Sequence, residues 1–536
     1  MTQPLFMTTL FLGSLLLGVV CLGTVAAVRI FRHEMTDGHA SGGGIFLSVF
    51  LLALAVRLLA VPRLYHIYFD EFAYLATAQN IFYHGLTAVT LKGSGAFPQI
   101  LSAFDRPGGW PVLEAVYFFL AGGFGHGQFY LTIFLGSLTA VMACRITWIY
   151  TKDRLTSWWA GVFLGLFPSH IKYSACMAAD VPGLAFFLLA VLLLSEWYRR
   201  PDRVVLGAGL LAAVYSCYIK PVYAGMTLGG AVILIAGICA RRNDRKGPLR
   251  DIAWVLGCLL LPLLNYIQPT YAREASVAAK TLFSWGAEVK NFPQNINWFF
   301  GMARGVPIMG VMLLLGIMSG LGRKRSGFWI MCTAGFVVLF VLTSAYFTGS
   351  FSYRQMDRYM FPMLFFMAVL AAGGAVYCSS RLPWLAGAGI FIVLLGNSVL
   401  AAAGLVDKNL QRQVHREAAA LVEVSRHIPQ DVYVLSDDID FWMTQTANEA
   451  VGNETFLKWP PPKVVVFRGL GSFWQDVELQ KKVWHVLETR YACRAGAFPV
   501  NASVNERLAP LVCRFREKEE LPAVPGASSG TTRQGP

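Results

Sequence analysis

Apolar stretches of about 20 residues recur along this chain between short basic clusters, and that pattern restricts it to a membrane-spanning fold. Val204–Ile219, Tyr223–Ala240, Ile252–Ile267, Phe328–Phe347 and Trp384–Leu405 are examples. Only 14% of the 536 residues are charged, against roughly 25% in soluble globular chains. The expected fold class is an all-α polytopic membrane protein of about twelve transmembrane helices. Its first stretch, Leu5–Val28, follows a segment with no Lys or Arg. A secretory signal needs a basic start, so this stretch reads as a retained helix.

The formal net charge of +14 is a matter of sidedness and not of nucleic-acid binding, as its distribution shows. Segments 29–43, 145–154, 199–203, 241–250, 323–325 and 379–382 hold 17 Lys or Arg in 47 residues. The alternate segments 65–110, 171–180, 220, 269–304 and 348–358 hold 10 in 104. This roughly fourfold difference in density makes the first set cytoplasmic. Both termini and the second set are then extracytoplasmic, in a plasma or inner membrane.

Residues 1–43 read as an extra N-terminal span and a basic hairpin, and 44–407 as the main transmembrane domain with an outer loop at 65–124. Pro111–Phe124 is apolar but too short to span, so it is expected to lie along the membrane surface. The loop 269–304 is rich in Trp, Phe and Asn and fits the same placement; its aromatics suit sugar stacking or an interfacial belt. After Asp407 the composition becomes that of a soluble domain. Helical periodicity in His415–His427 and Gln475–Arg490 alternates with β-branched Val432–Leu435 and Val464–Phe467. This predicts a small C-terminal extracytoplasmic α/β domain over 408–516, followed by a tail at 517–536 too polar to fold. Cys493 and Cys513 fall in that outer, oxidising region and are expected to pair, whereas the other eight cysteines fall mostly in apolar spans.

The segment Arg57–Tyr74 carries adjacent carboxylates, Asp70 and Glu71, just beyond the outer end of a span. Carboxylates at a membrane are costly to desolvate and often mark a site, although a solvated pair at a helix end is the plainer reading. Asp105-Arg106-Pro107-Gly108 closes the same loop, so one loop brings a candidate base and a cation together. An anionic lipid headgroup calls for that combination: a guanidinium for phosphate oxygens and a carboxylate to deprotonate an attacking hydroxyl. Ser436–Asp440 offers three carboxylates that suit a divalent ion or, following a strand, a turn. Asn453 and Asn501 open glycosylation sequons.

These motifs resemble those of the GT-C glycosyltransferases of family 39, which include protein O-mannosyltransferases and lipid A aminoarabinose transferases. The resemblance covers roughly 44–405 and rests on Arg57, Asp70, Glu71, Tyr74, Ala78, His84 and Gly85, then on Asp105 to Gly108. There the family carries Lys where this chain has Arg106, which keeps the charge and changes a point contact to a planar fork. Tyr173 to Pro182, containing Asp180, and Arg354, Asp357, Arg358, Tyr359 and Pro362 supply two further matches.

The resemblance implies Asp70 as catalytic base and Arg106 as phosphate ligand. Glu71, Asp105 and Asp180 become supporting carboxylates, and Tyr74 a substrate-side residue. Arg354 and Arg358 are further phosphate ligands or interface anchors. Lys172 and Lys220 stand at the outer face as phosphate ligands or as snorkelling side chains. Arg57 is either part of a structural ion pair or close to the site. The implied activity is inverting transfer of a sugar from a polyprenyl-phosphate donor to a hydroxyl or phosphate of a lipid, glycan or protein acceptor. No cofactor is required by that chemistry, and a divalent metal is left open. The alternatives are a transporter or flippase of lipid-linked sugars, for which no inverted repeat is evident, and a non-catalytic envelope scaffold.

Overall fold

The computed structural model describes residues 2–36, 43–60, 63, 68–94, 98–103, 107–123, 127–240, 247–266, 284–300, 307–321, 326–346, 349–351, 356–381, 384–405, 419–429, 431–436, 440–442, 446, 448–466, 477–495 and 511–515. The chain divides into two compact units, one formed by Met1–Ala88 with Ala103–Gln411 and the other by Val89–Ser102 with Arg412–Pro536.

The first unit is helical. It begins with α1 (Thr2–Thr36), α2 (Gly43–Ala60) and α3 (Tyr68–His84), then α4 (Gly109–Ala121), α5 (Gln128–Thr151), α6 (Arg154–Gly165) and α7 (Pro168–Ser174). Next come α8 (Asp180–Arg199), α9 (Arg203–Ile219), α10 (Val222–Ala240) and α11 (Gly247–Tyr266). The series ends with α12 (Trp285–Phe300), α13 (Pro307–Leu321), α14 (Ser326–Ala345), α15 (Leu364–Ser379) and α16 (Trp384–Leu405). Among the described residues, five helices are long and apolar enough to cross a membrane: Leu5–His33, Phe129–Thr151, Asp180–Arg199, Gly327–Ala345 and Asp357–Ser379. Others of the roughly twelve expected spans are present as shorter apolar helices.

Proline breaks the helical run at two places. Helix α6 ends at Gly165, and a separate short helix, α7, starts at Pro168. Phe167 before that proline is extended (φ −66°, ψ 124°), because an X–Pro step disfavours the helical region. The span that contains α15 opens as a 3-10 helix, Met356–Met363, with Pro362 inside it. Both breaks fall next to candidate site residues, which they turn out of regular helix.

Packing is tightest where side chains are smallest. A Cβ on Gly316 of α13 would meet the Leu370 carbonyl of α15, and one on Gly374 would meet the Met312 carbonyl in return. Two backbones in direct contact give dispersion where lipid offers no hydrophobic drive. By contrast α14 leaves Ile330, Val337, Val338, Val341 and Leu342 exposed, as a lipid-facing surface requires.

The second unit holds β1 (Ala88–Gly93), β2 (Pro98–Ala103), β3 (Tyr433–Leu435), β4 (Ala450–Val451), β5 (Lys463–Val466), β6 (Tyr491–Ala495) and β7 (Leu511–Phe515) in one sheet of order β2-β1-β4-β3-β5-β7-β6. Its strands β3 and β5 pair in parallel and the outer pairs are antiparallel. Helices α17 (Asn453–Lys458) and α18 (Val477–Arg490) accompany it. Val464, Phe456, Val483, Leu487 and Tyr491 form its core. Two strands come from the loop before Asp105, and β1 pairs with β4 across 359 positions, from Lys92 to Val451; the sequence reading assigned this segment to the loop alone. Cys493 lies opposite Cys513 in register, and the two are disulfide-bonded.

Candidate functional site

Asp70 and Glu71 occupy the first turn of α3 and point to different partners. Asp70 Oδ2 accepts a hydrogen bond from an Arg358 Nη at 2.5 Å, and both side chains are partly exposed at 17% and 18%. Arg358 sits in the 3-10 helix, over the ring of Tyr359. Its Nε is buried and has no hydrogen-bond partner among the described residues. Glu71 is fully buried, and its Oε1 accepts the Met177 N–H at 2.7 Å. Tyr74, one turn beyond Asp70, is buried.

Two lysines join this constellation. Lys220, which ends α9, pairs with Asp180 in the first turn of α8. It is also close enough to Arg358 and Asp70 to interact electrostatically with both. Lys172 is almost wholly buried and pairs with Asp357 at 3.6 Å. Tyr173 donates its hydroxyl to the same carboxylate at 2.7 Å. The result is an alternation of charge: Asp70 with Arg358, Asp180 with Lys220, Asp357 with Lys172.

The α8–α9 hairpin orients the cluster. Asp180 and Lys220 close one end, while Arg199, Asp202 and Arg203 mark the other. The 20 residues of α8 separate the ends by about 30 Å, a bilayer core thickness. At the far end Arg29 donates twice to Asp202, which caps α9 through the Val204 N–H at 2.8 Å. Glu196 there accepts from Arg145 and Arg199 at 2.6 and 2.9 Å. The candidate residues therefore gather at the end opposite the basic connections.

Arg57 lies elsewhere. It is fully buried and donates to Ser174 Oγ at 3.0 Å, the Ala53 carbonyl at 2.8 Å, the Gly165 carbonyl at 3.0 Å and His170 Nδ1 at 2.5 Å. These acceptors are all neutral protein groups, so among the described residues no ion pair holds it. A guanidinium has no lone pair to offer, so Nδ1 of His170 is the acceptor and Nε2 carries the proton. Nε2 then donates to Thr139 Oγ1 at 3.0 Å, which donates to the Gly136 carbonyl at 2.7 Å. This chain ties α2 and α5 to α7, the helix that carries Lys172 and Tyr173.

Asp105, Arg106 and Arg354 lie outside the described residues. Asp357, Tyr173 and Met177 were not given roles by sequence reasoning, although all three fall inside quoted motifs. Glu114 was also overlooked. It is the only carboxylate in the apolar stretch Pro111–Phe124, and a lone charge in an apolar helix was the available signal.

Solved structures share this architecture. ArnT from Cupriavidus metallidurans bound to undecaprenyl phosphate aligns with a TM-score of 0.59 and 11% identity over 88% of this chain and 98% of that chain. Its apo state gives 0.57 at 12% identity over the same shares. The Archaeoglobus fulgidus oligosaccharyltransferase tethered to an acceptor peptide gives 0.50 at 10% identity, over 84% of this chain and 69% of that one. No protein-family model matches the sequence, and no curated protein sequence does. The fold is GT-C-like, as the motif resemblance led us to expect.

Proposed function

We propose that this chain is an integral-membrane glycosyltransferase that moves a sugar from a polyprenyl-phosphate donor to a hydroxyl or phosphate acceptor on the outer face of the membrane. One observation carries the reading: the Asp70 carboxylate and the Arg358 guanidinium meet in a partly exposed site on a GT-C-like fold. Asp70 takes the proton of the acceptor hydroxyl. The acceptor oxygen attacks the anomeric carbon, and the bond from that carbon to the phosphate oxygen breaks with inversion. Polyprenyl phosphate leaves with the negative charge, which Arg358 and Lys220 are placed to stabilise, with Arg106 assigned to the same task by the motif resemblance alone. The buried Nε of Arg358 is a donor available to a phosphate oxygen. Since the leaving charge is paired by these cations, the route is written without a metal. Asp180 holds Lys220, and Asp357 holds Lys172, so these carboxylates position cations and do not act as bases.

The outer placement follows from the charge asymmetry and from the position of the cluster opposite the basic ends of α8 and α9. The same charge count makes residues 408–536 extracytoplasmic too. The decisive experiment uses purified protein in liposomes with labelled polyprenyl-phosphate sugars and a panel of lipid, glycan and peptide acceptors. Label transfer that is abolished by Asp70→Asn supports the reading. Movement of the donor lipid across the bilayer without transfer would replace it with a flippase.

A further inference from the structure

Helix α4 has 13 residues, about 20 Å, and does not cross a bilayer. Its buried face carries Trp110, Val112, Glu114, Ala115 and Phe118. Trp110 donates its indole N–H to the Met177 carbonyl at 2.8 Å, and the N–H of the same Met177 is held by Glu71 at 2.7 Å. One residue therefore bridges α4 to the carboxylate beside Asp70. Glu114, one turn beyond Trp110, is fully buried, and neither of its carboxyl oxygens has a hydrogen-bond partner among the described residues. An ionised carboxylate left unpaired in such a place is far costlier than a protonated one.

Among the described residues, the charge that acts on Glu114 is a negative one. From α3 comes Glu71, the charge that acts on Glu114, with Asp70 next to it. The connector after α7 brings Cys176, a buried thiol beside Glu71. From α9 comes Tyr215, whose hydroxyl donates to the Gly109 carbonyl at 2.7 Å. Leu12 of α1, beside Gly108, and Phe129 of α5 are apolar. Burial, and then the Glu71 charge, push the Glu114 carboxyl well above the usual carboxylate range.

We infer that Glu114 is a neutral carboxylic acid at physiological pH, kept in that form by its buried, unpartnered setting and the nearby Glu71 charge, and that this acid and carboxylate sit behind Asp70 and position it. The charge arithmetic supports this. Asp70 is balanced by Arg358 and Glu71 is held by a backbone N–H, so a third negative charge would have no counterpart. Glu114 is a positioning residue; it does not touch the donor or acceptor. Its effect on Asp70 rests on the transferase reading, while its protonation does not.

Infrared spectroscopy of the full protein in lipid nanodiscs tests the protonation without any activity. Wild type should show a protonated-carboxyl C=O band at neutral pH that is missing in Glu114→Gln. In Glu71→Gln, where the neighbouring charge is gone, the band should remain at neutral pH and bleach at a lower pH than in wild type. A wild-type spectrum without that band, or a band unchanged in Glu114→Gln, overturns the inference. Should Glu114→Gln not fold, the titration in Glu71→Gln decides alone, and a band that does not move overturns the pairing. With transfer activity in hand, Glu114→Gln should move the pH profile of kcat by roughly one unit or more while leaving KM near wild type. An unmoved profile overturns the positioning role even if the band is present. A wild type that transfers no sugar removes the transferase reading and leaves the infrared result intact.

Discussion

Asp70 on α3 and Arg358 ahead of α15 stand 288 positions apart in sequence and meet at 2.5 Å. Each modifies the other: the guanidinium keeps the carboxylate charged, and the carboxylate holds the fork where a phosphate would arrive. Asp70→Asn is nearly isosteric but cannot accept a proton at neutral pH. It should lower turnover by about 100-fold or more while donor-lipid binding survives. Arg358→Ala should weaken donor binding first, by roughly 1.5–3 kcal/mol, through loss of a charge-assisted contact. Because the two side chains touch, the double variant should lose less than the sum of the single losses. Single-turnover kinetics and donor titration measure both terms. Full transfer by Asp70→Asn would remove Asp70 from the chemistry.

Arg57 makes a buried network of its own. Its network with His170, Ser174 and two carbonyls is buried, so Arg57→Met should leave several of these acceptors unsatisfied at about 1–3 kcal/mol each. Arg57→Lys should rescue little, because an ammonium cannot reproduce the fork. A Cβ on Gly136 would meet the Ser174 hydroxyl and the Arg57 Nε, so Gly136→Ala should resemble Arg57→Met. Thermal unfolding in detergent should show both variants shifted down together. Arg57→Met with wild-type stability but failed donor binding would return Arg57 to the substrate.

The membrane class and the Asp70-Glu71 pair at a helix start were legible because hydropathy and adjacent carboxylates are local signals. The pairing of Asp70 with Arg358 was not, since nothing in sequence ranks Arg358 above Arg354 or Arg106. The same limit applies to Lys220 with Asp180 and Lys172 with Asp357, where helix packing chooses the partner. Arg57 looked like a membrane charge in search of a counter-ion, and its neutral acceptors are set by the break at Pro168. Strand β1 was hidden for a different reason. Ala88–Gly93 is short and only half alternating, and its partner strand β4 spans two residues, Ala450–Val451.

Sidedness has a direct test. If the candidate site is extracytoplasmic, a cysteine probe at Ser528 should be labelled in intact cells by an impermeant reagent, and one at Asn243 should be spared. The motive is the roughly fourfold asymmetry in Lys and Arg density, together with the candidate cluster lying at the other end of α8 from Arg199. Labelling at Asn243 alone would turn the molecule over and put the site in the cytoplasm.

Helix α12 shows three faces. Asn291 and Asn295 are buried and donate to the Ser344, Tyr346 and Gly349 carbonyls and to Ser344 Oγ, while Trp298 and Phe299 pack inward. Trp285, Val289, Phe292, Ile296 and Phe300 repeat at helical spacing and are exposed, and Lys290 and Asn297 face a third direction. A 16-residue helix is too short to span with ease, so this pattern predicts an interfacial helix with its apolar stripe in acyl chains. A nitroxide at Val289 in liposomes should be accessible to oxygen and shielded from a polar nickel reagent. One at Lys290 should show the reverse. Equal accessibility at the two positions would mean that lipid does not cover the stripe.

The sheet of the second unit predicts a crosslink that no reading of the C-terminal segment alone would suggest. Lys92 of β1 lies opposite Val451 of β4 in an antiparallel ladder, and Gly452 donates its N–H to the Leu91 carbonyl. Residues 89–102 therefore cover an edge that the C-terminal segment would otherwise leave open, and open edges invite association. A Lys92→Cys/Val451→Cys pair should form a disulfide under mild oxidation, whereas Lys92→Cys/Val464→Cys, two strands further across the sheet, should not. Replacing 89–102 by a Gly/Ser linker should expose β4 and increase aggregation of the purified protein, measured by light scattering. The native Cys493–Cys513 bond closes a loop of 20 residues at the other edge and should contribute about 3 kcal/mol. Its reduction should therefore destabilise the sheet at β6 and β7 while leaving the Lys92–Val451 crosslink yield unchanged. A crosslink yield that falls on reduction would show that the two edges unfold as one, and failure of the Lys92–Val451 pair to crosslink at all would detach the hairpin from the sheet.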